Sequence, residues 1–264
     1  MSLLPWRTSS SRPTPCLTDS MHLNVLESGS GDHIVVLLHG MSGSAESWWR
    51  VSDALADRGA RVLALDLPGH GLSPRDPTST VASAADAVVE TLDALAPGLR
   101  LVAIGHSYGG TVLAAAANRL PLDTAVYVDT ACAFTGGADR DELIAQYVRD
   151  RASRQNIAWL RESRPFYSEK DAVVEARAAE QFDPVTAASV SSGADVAHVP
   201  APGSILVRAD PSRFVTDEDA GRLAARGVDV RTIARAAHTV WFSHFDEFVA
   251  ALPEVFDSRS PRGE

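Results

Sequence analysis

Cysteine is nearly missing from these 264 residues: Cys16 and Cys132 are the two, far apart in the chain. A scaffold stapled by several disulfides is thereby excluded, and reduced thiols in a cytoplasmic protein are the expectation. No apolar run approaches the roughly 18 residues that a membrane span requires. Basic residues are the minority, 24 against 34 acidic, and the resulting charge of −10 argues against nucleic acid as a partner. No Cys/His group has metal-ligand spacing and no G-x-x-x-x-G-K-[ST] stretch is present, so neither a metal nor an organic cofactor is expected. Residues 1–20 contain Ser, Pro and two Arg but no continuous apolar segment, which reads as a loose extension rather than a secretory signal.

What the chain does have is ordinary globular material, 45% hydrophobic, and length enough for one large α/β domain or a core with an insertion. Short apolar runs alternate with helical patterns. Strands are expected at 22–26, 34–38, 61–65, 99–104, 125–129, 204–208 and 228–233. Helices are expected from Ser44 or Ser47 to about Arg58, over 81–95, over 217–226 and over about 242–256. Repeated strand–helix units imply a mostly parallel, doubly wound sheet with helices on both faces. Between Thr130 and about Pro202 the rhythm changes to charged helical stretches, 139–154, 169–181 and 185–191. That is the mark of an insertion over the sheet's carboxyl edge.

The chemistry centres on Gly105-His106-Ser107-Tyr108-Gly109-Gly110. An apolar, β-prone run precedes it and an Ala-rich helix former follows, so G-x-S-x-G falls between strand and helix, where it makes a nucleophile elbow. The two glycines let backbone segments approach closely, and the sharp turn presents the Ser107 hydroxyl beside a helix N-terminus. Unpaired N–H groups and partial positive charge gather there, both suited to a developing anion.

With His39-Gly40, the stretch Asp66-Leu67-Pro68-Gly69-His70-Gly71-Leu72-Ser73, the elbow and His238, the sequence resembles the α/β-hydrolase-fold superfamily over about residues 20 to 256. The order of these motifs is more specific than any one of them. The resemblance implies a core of 21–129 and 203–256, a helical cap of 130–202, an N-terminal extension of 1–20 and a frayed tail of 257–264. It implies Ser107 as nucleophile and His238 as base, in a loop after the last strand. His244 is the less favoured histidine, while His39 and His70 shape the site. The acid is left between two residues. Asp129 ends one strand before the cap; Asp210 follows the strand after it, two residues before the position usual for the family. Backbone N–H groups of Met41 and Tyr108 are the implied oxyanion donors.

Ser rather than Asp at the elbow argues against haloalkane dehalogenase and epoxide hydrolase chemistry. The expected reaction is cleavage of a carboxylic ester or lactone of a small, hydrophobic substrate through an acyl-enzyme. Three alternatives use the same frame: a C–C bond hydrolase, a perhydrolase, and a ligand-sensing protein with vestigial turnover. Trp48, Phe134, Trp159, Phe166, Tyr167 and Trp241 are candidates to contact substrate, with Tyr147 and Phe182 in the same aromatic set. Each aromatic is weighed against plain core packing. A homodimer is compatible with the sequence.

Overall fold

The computed structural model describes residues 22–131 and 133–257. The expectations for residues 1–20, for Cys16 and Cys132, and for the tail beyond residue 257 lie outside the described residues. Nine strands are found among them: β1 (Val25–Ser28), β2 (His33–Leu38), β3 (Ala60–Leu65), β4 (Leu101–His106), β5 (Leu122–Val128), β6 (Ala133–Phe134), β7 (Val196–Ala197), β8 (Ile205–Asp210) and β9 (Asp229–Ala234). Seven form one sheet in the order β1-β3-β2-β4-β5-β8-β9, and β6 pairs with β7 in a small separate ribbon. Only β1 runs antiparallel to its neighbour in the main sheet, on the β3 edge.

The continuous apolar strands reflect burial on both faces. Ile34, Val36, Leu38, Leu63, Leu65 and Ala103 face one layer, with α2 (Val81–Leu95) and α3 (Tyr108–Ala116) packed on it. Val35, Leu37, Val62, Ala64, Val102 and Ile104 alternate to the other. There they meet Val51 and Leu55 of the first helix, α1 (Trp49–Ala56), and Trp241, Phe248 and Val255 near the chain's end. The insertion holds α4 (Arg140–Arg154), α5 (Ile157–Ser163), α6 (Glu169–Gln181) and α7 (Pro184–Ser192); α8 (Asp217–Ala225) lies between β8 and β9. Local chemistry sets the helix starts: Asp139 caps α4 by accepting from the Glu142 amide at 2.9 Å, and Thr80 caps α2 from Ser83 at 3.0 Å.

Three expectations need correcting. The expected last helix is three short ones, α9 (Val240–Ser243), α10 (Phe245–Ala250) and α11 (Pro253–Phe256). His244 breaks the first join with φ −140°, and Pro253, which has no N–H to continue a helix, restarts the last. Residues 45–48 form a 3-10 turn before α1, with the Ser47 hydroxyl accepting from the Ser44 amide at 3.1 Å. The short helix α5 is additional to those expected.

Strand order decides where a ligand fits. The chain leaves β2 for β3 on one side, then crosses back to β4 on the other. The loops after β2 and β4 therefore part at the sheet's carboxyl edge and open a crevice, the usual binding place in such sheets.

Candidate active site

Ser107 occupies the turn between β4 and α3 with φ 50° and ψ −118°, a left-handed-side conformation rare for a residue with a side chain. The flanking glycines are required by crowding. A Cβ on Gly109 would stand 2.3 Å from the Leu38 carbonyl oxygen, and one on Gly105 would stand 2.6 Å from that of Gly109. The Ser107 amide donates to the Val128 carbonyl at 3.0 Å, which ties the elbow to the neighbouring strand.

Asp129 follows β5 directly and also has a positive φ, 44°. Its amide donates to Val207 O at 2.8 Å, and its Oδ1 accepts the Ala209 amide at 3.2 Å. Its Oδ2 lies 2.7 Å from Nδ1 of His238, in the loop after β9. The carboxylate is 1% exposed and the imidazole 35%. A carboxylate offers only acceptors, so Nδ1 carries a proton, and in the neutral ring the lone pair is on Nε2. Asp210, by contrast, is half-exposed and sits 3.6 Å from Arg208. Of the two carboxylates weighed from sequence, Asp129 is the one that meets the imidazole.

Two further residues hold His238, and the motif reading missed both. His106 Nε2 lies 3.0 Å from the His238 carbonyl oxygen and so donates to it, while the Phe214 ring lies over the imidazole at 4.1 Å between centroids. His106 sits inside the elbow motif, so its histidine character was the available signal. Ser107 and His238 open onto the same cavity; among the described residues no hydrogen bond joins them directly. Ligand-free sites often show such bonds lengthened.

The loop after β2 is a tight turn in which the Gly43 amide donates to Gly40 O at 3.0 Å and Ser42 takes φ 64°. Two buried histidines fix it. His70 Nε2 accepts the Ser42 amide at 3.2 Å, and His39 Nε2 accepts that of Leu67 at 3.0 Å. Each donates from Nδ1 to a carbonyl, Pro68 and Gly40 respectively, so both rings must be neutral. Burial drives His39 down to about 4 and His70 to about 3, the neighbouring His39 ring adding to the latter. Burial likewise holds His106 well below the ordinary histidine range. Met41 and Tyr108 both border the cavity onto which Ser107 opens. The Tyr108 amide belongs to the first turn of α3, where N–H groups have no intrahelical partner.

The cavity measures about 560 Å³ and is walled by both parts of the chain. Phe166, Tyr167 and Trp241 lie on it, as does Tyr147, whose hydroxyl is 2.7 Å from Ser191 Oγ. Trp48 does not: it is fully buried and stacks on Trp241 at 3.9 Å, a core position behind the wall. Trp159 is 38% exposed on α5 and also lies off the cavity, against Arg164. Phe134 is in β6, and its side chain lies outside the described residues. Phe182 packs against His70 and Tyr147 rather than facing the cavity.

Charged residues on the wall were not foreseen. Glu175 of α6 accepts from Ser47 Oγ at 2.9 Å and pairs with Arg154 of α4, whose Nη2 also donates to Ser42 O at 3.5 Å. The signal was there: Asp171 and Glu175 sit four apart on the face of α6 that buries Ala172, Ala176 and Ala179.

A family model described as the alpha/beta hydrolase family matches residues 35–251. Among curated proteins, the chain is similar to a probable esterase, PIR7A, of Oryza sativa subsp. indica, 34% identical over 123 residues, which is 45% of this chain and 46% of that protein. It is similar to methylesterase 8 of Arabidopsis thaliana, 36% identical over 88 residues, 33% of this chain and 32% of that one. The chain thus spans less than half the length of these relatives. Among solved structures, a marine microorganism esterase superposes with TM-score 0.69 at 17% identity, over 89% of this chain and all of that one. A bromoperoxidase from Bacillus anthracis gives 0.71 at 19%, over 89% and 95%. At these identities the likeness shows the fold.

Proposed function

Because the chain belongs to the α/β-hydrolase family, we propose that it is a serine hydrolase cleaving small carboxylic esters, cyclic esters included, through an acyl-enzyme. One observation carries the reading: a buried carboxylate, Asp129, 2.7 Å from Nδ1 of a histidine that shares its cavity with an elbow serine. Ester-named relatives of partial coverage support the same reaction class.

The steps follow from the donors and acceptors. Asp129 fixes the His238 tautomer, leaving Nε2 to take the Ser107 proton as Oγ attacks the ester carbon. The carbonyl oxygen, now an oxyanion, is held by the backbone N–H groups of Met41 and Tyr108; one such donor is worth on the order of 10²–10³ in rate. The His39 and His70 hydrogen bonds hold the Met41 turn in place. His238 then returns its proton to the departing alcohol oxygen. It next takes a proton from water, whose oxygen attacks the acyl carbon. It hands that proton to Ser107 Oγ as the acyl–oxygen bond breaks, releasing the acid and restoring the free serine. Residues 130–202 act as a cap: their helices supply the outer wall and so select the ester.

Hydrolysis of p-nitrophenyl acetate and butyrate tests this, with Ser107→Ala as control and a fluorophosphonate label as the probe of an activated serine. Turnover and labelling that vanish in the variant are expected. Unreactive Ser107 in the wild-type chain, with no turnover, sinks the reading and leaves a ligand-sensing protein.

A further inference from the structure

Among the described residues two arginines line the cavity, and they differ in what balances their guanidinium groups. Arg154 is engaged, donating to Glu175 and to Ser42 O. Glu175, 6% exposed, accepts on both oxygens, from Arg154 and from Ser47. That pair is neutral as a unit. Arg164, directly after α5, has no carboxylate partner among the described residues. Its polar contact is Nη1 to the neutral hydroxyl of Ser163 at 3.0 Å. Its guanidinium carbon lies 5.2 Å from the Trp159 ring centroid and 5.7 Å from that of Tyr167. Aromatic contacts use the faces of a guanidinium and leave its N–H edge for an acceptor.

The other ionisable groups on the wall do not balance it. His39 and His106 are held neutral by burial, and burial also keeps the Tyr108, Tyr147 and Tyr167 phenols protonated. Asp129 stands behind His238, engaged with its Nδ1. Arg164 is therefore the cavity's unmatched cation among the described residues, in a chain of net charge −10.

We infer that Arg164 anchors a carboxylate of the substrate, so that the ester presented to Ser107 belongs to a molecule with a second, ionised carboxyl group, such as the half-ester of a short dicarboxylic acid. The inference rests on the ester-hydrolase reading for the reaction but not for the binding. A carboxylate matches the planar fork of a guanidinium, which a neutral ester cannot do. Phe166, Tyr167 and Trp241 supply apolar surface for the methylenes between the two ends.

The test has a binding arm and a turnover arm. In Ser107→Ala protein, calorimetric titration compares the monomethyl esters of succinate, glutarate and adipate with the matching dimethyl esters. At least one monoester is expected to bind about tenfold or more tighter than its diester. That preference should disappear in Ser107→Ala/Arg164→Gln and survive in part with Arg164→Lys. In the wild-type chain the kcat/KM ratio of the same monoester to its diester is expected to exceed about ten and to fall toward one with Arg164→Gln. Circular dichroism melts check that each variant is folded; the monoester–diester comparison needs no variant at Arg164 and stands if one is not. Equal binding of all pairs, or a preference that persists without Arg164, overturns the inference. Arg164-dependent binding without turnover of any ester upholds it and instead overturns the ester-hydrolase reading.

Discussion

The two walls of the cavity are built in different ways. The floor is the carboxyl edge of a parallel sheet. Ser107 and Asp129 sit one residue beyond β4 and β5 with their amides donating to Val128 O and Val207 O, and His238, in the loop after β9, is held by the side chains of His106 and Asp129. The roof is α4 to α7, and much of its contact with the floor is polar. Trp49 Nε1 donates to Asp171 at 3.0 Å, Ser47 Oγ to Glu175 at 2.9 Å, and Arg177 to Glu46 at 2.9 Å, while the Asp76 amide donates to Thr186 Oγ1 at 3.0 Å. Helix α4 buries no residue fully. Sites built on strands are held more precisely than sites on loops, which bond-making needs; a polar interface is held by bonds worth only about 0.5–1.5 kcal/mol each and can rearrange. Floor changes should therefore alter whether an ester is cleaved, and roof changes should alter which one.

The strongest challenge to that division is at Ser107. Ser107→Ala is expected to lower kcat by about 10⁶, as loss of a triad serine does elsewhere, with the melting temperature little changed. A roof substitution with an equal effect on p-nitrophenyl acetate turnover would break the comparison. Next comes the carboxylate. Asp129→Asn keeps the shape but presents an amide where the His238 tautomer needs an acceptor, a change that lowers kcat by about 10⁴ in a comparable triad. Asp210→Asn, half-exposed and paired with Arg208, should stay within about twofold of wild type. Steady-state kinetics of the two variants side by side decide it; the reverse ranking reassigns the acid.

The same division governs what the sequence reveals. The elbow is legible because Gly105 and Gly109 answer to a local need, the approach of backbone within 2.3 to 2.6 Å of where a Cβ would lie. The choice between Asp129 and Asp210 is not local. Strands β5 and β8 are neighbours that both run into an Asp, and the positive φ of Asp129 together with its β8 hydrogen bonds aims its carboxylate at His238. Trp48 follows the His39-Gly40 loop closely, yet a stack on a residue 193 positions later buries it. On the roof, helical periodicity gives α4 and α6 but not their partners, because a charged residue on a helix reads as solvated until its neighbour is known. Arg154 and Glu175, 21 residues apart, were invisible for that reason.

That buried pair gives the third prediction. Removing one member of such a pair leaves an uncompensated charge and costs about 3–5 kcal/mol, whereas an exposed pair contributes about 0–1 kcal/mol. Glu175→Ala should therefore shift the urea midpoint far more than Arg177→Ala, whose ion pair with Glu46 is half-exposed. Joint replacement of Arg154 and Glu175 by Met should recover most of the loss. Equal effects at the inner and the outer pair would mean that the roof is not held from inside.

On the floor the corresponding test is pH. Unfolded, His39 and His70 titrate near 6.5; folded, they do so only near 4 and 3. Between those values the unfolded chain binds more protons, so their contribution is complete above about pH 7 and declines as pH falls through 6.5. At pH 5.5 each ring should have withdrawn about 1.4 kcal/mol, about 3 kcal/mol together. Urea unfolding at pH 7.5 and 5.5 measures it. His70→Gln keeps an acceptor for the Ser42 amide without titrating, and should flatten the slope by about one ring's share. An unchanged slope would show that His70 is not held neutral.

The smallest expected difference sets one tyrosine from each wall against the other. Tyr147, on the roof, shares a hydrogen bond with Ser191 at 2.7 Å, and Tyr147→Phe should cost about 1 kcal/mol. Tyr108, on the floor, is 6% exposed, and its buried hydroxyl has no hydrogen-bond partner among the described residues. A polar group already denied both water and a protein partner loses no bond when removed, so Tyr108→Phe should leave stability unchanged or raise it by up to about 1 kcal/mol. The opposite signs are the point of the pair. If thermal melts show Tyr108→Phe destabilised as much as Tyr147→Phe, the floor hydroxyl has a partner in solution, and the floor is less complete without a ligand than its backbone suggests.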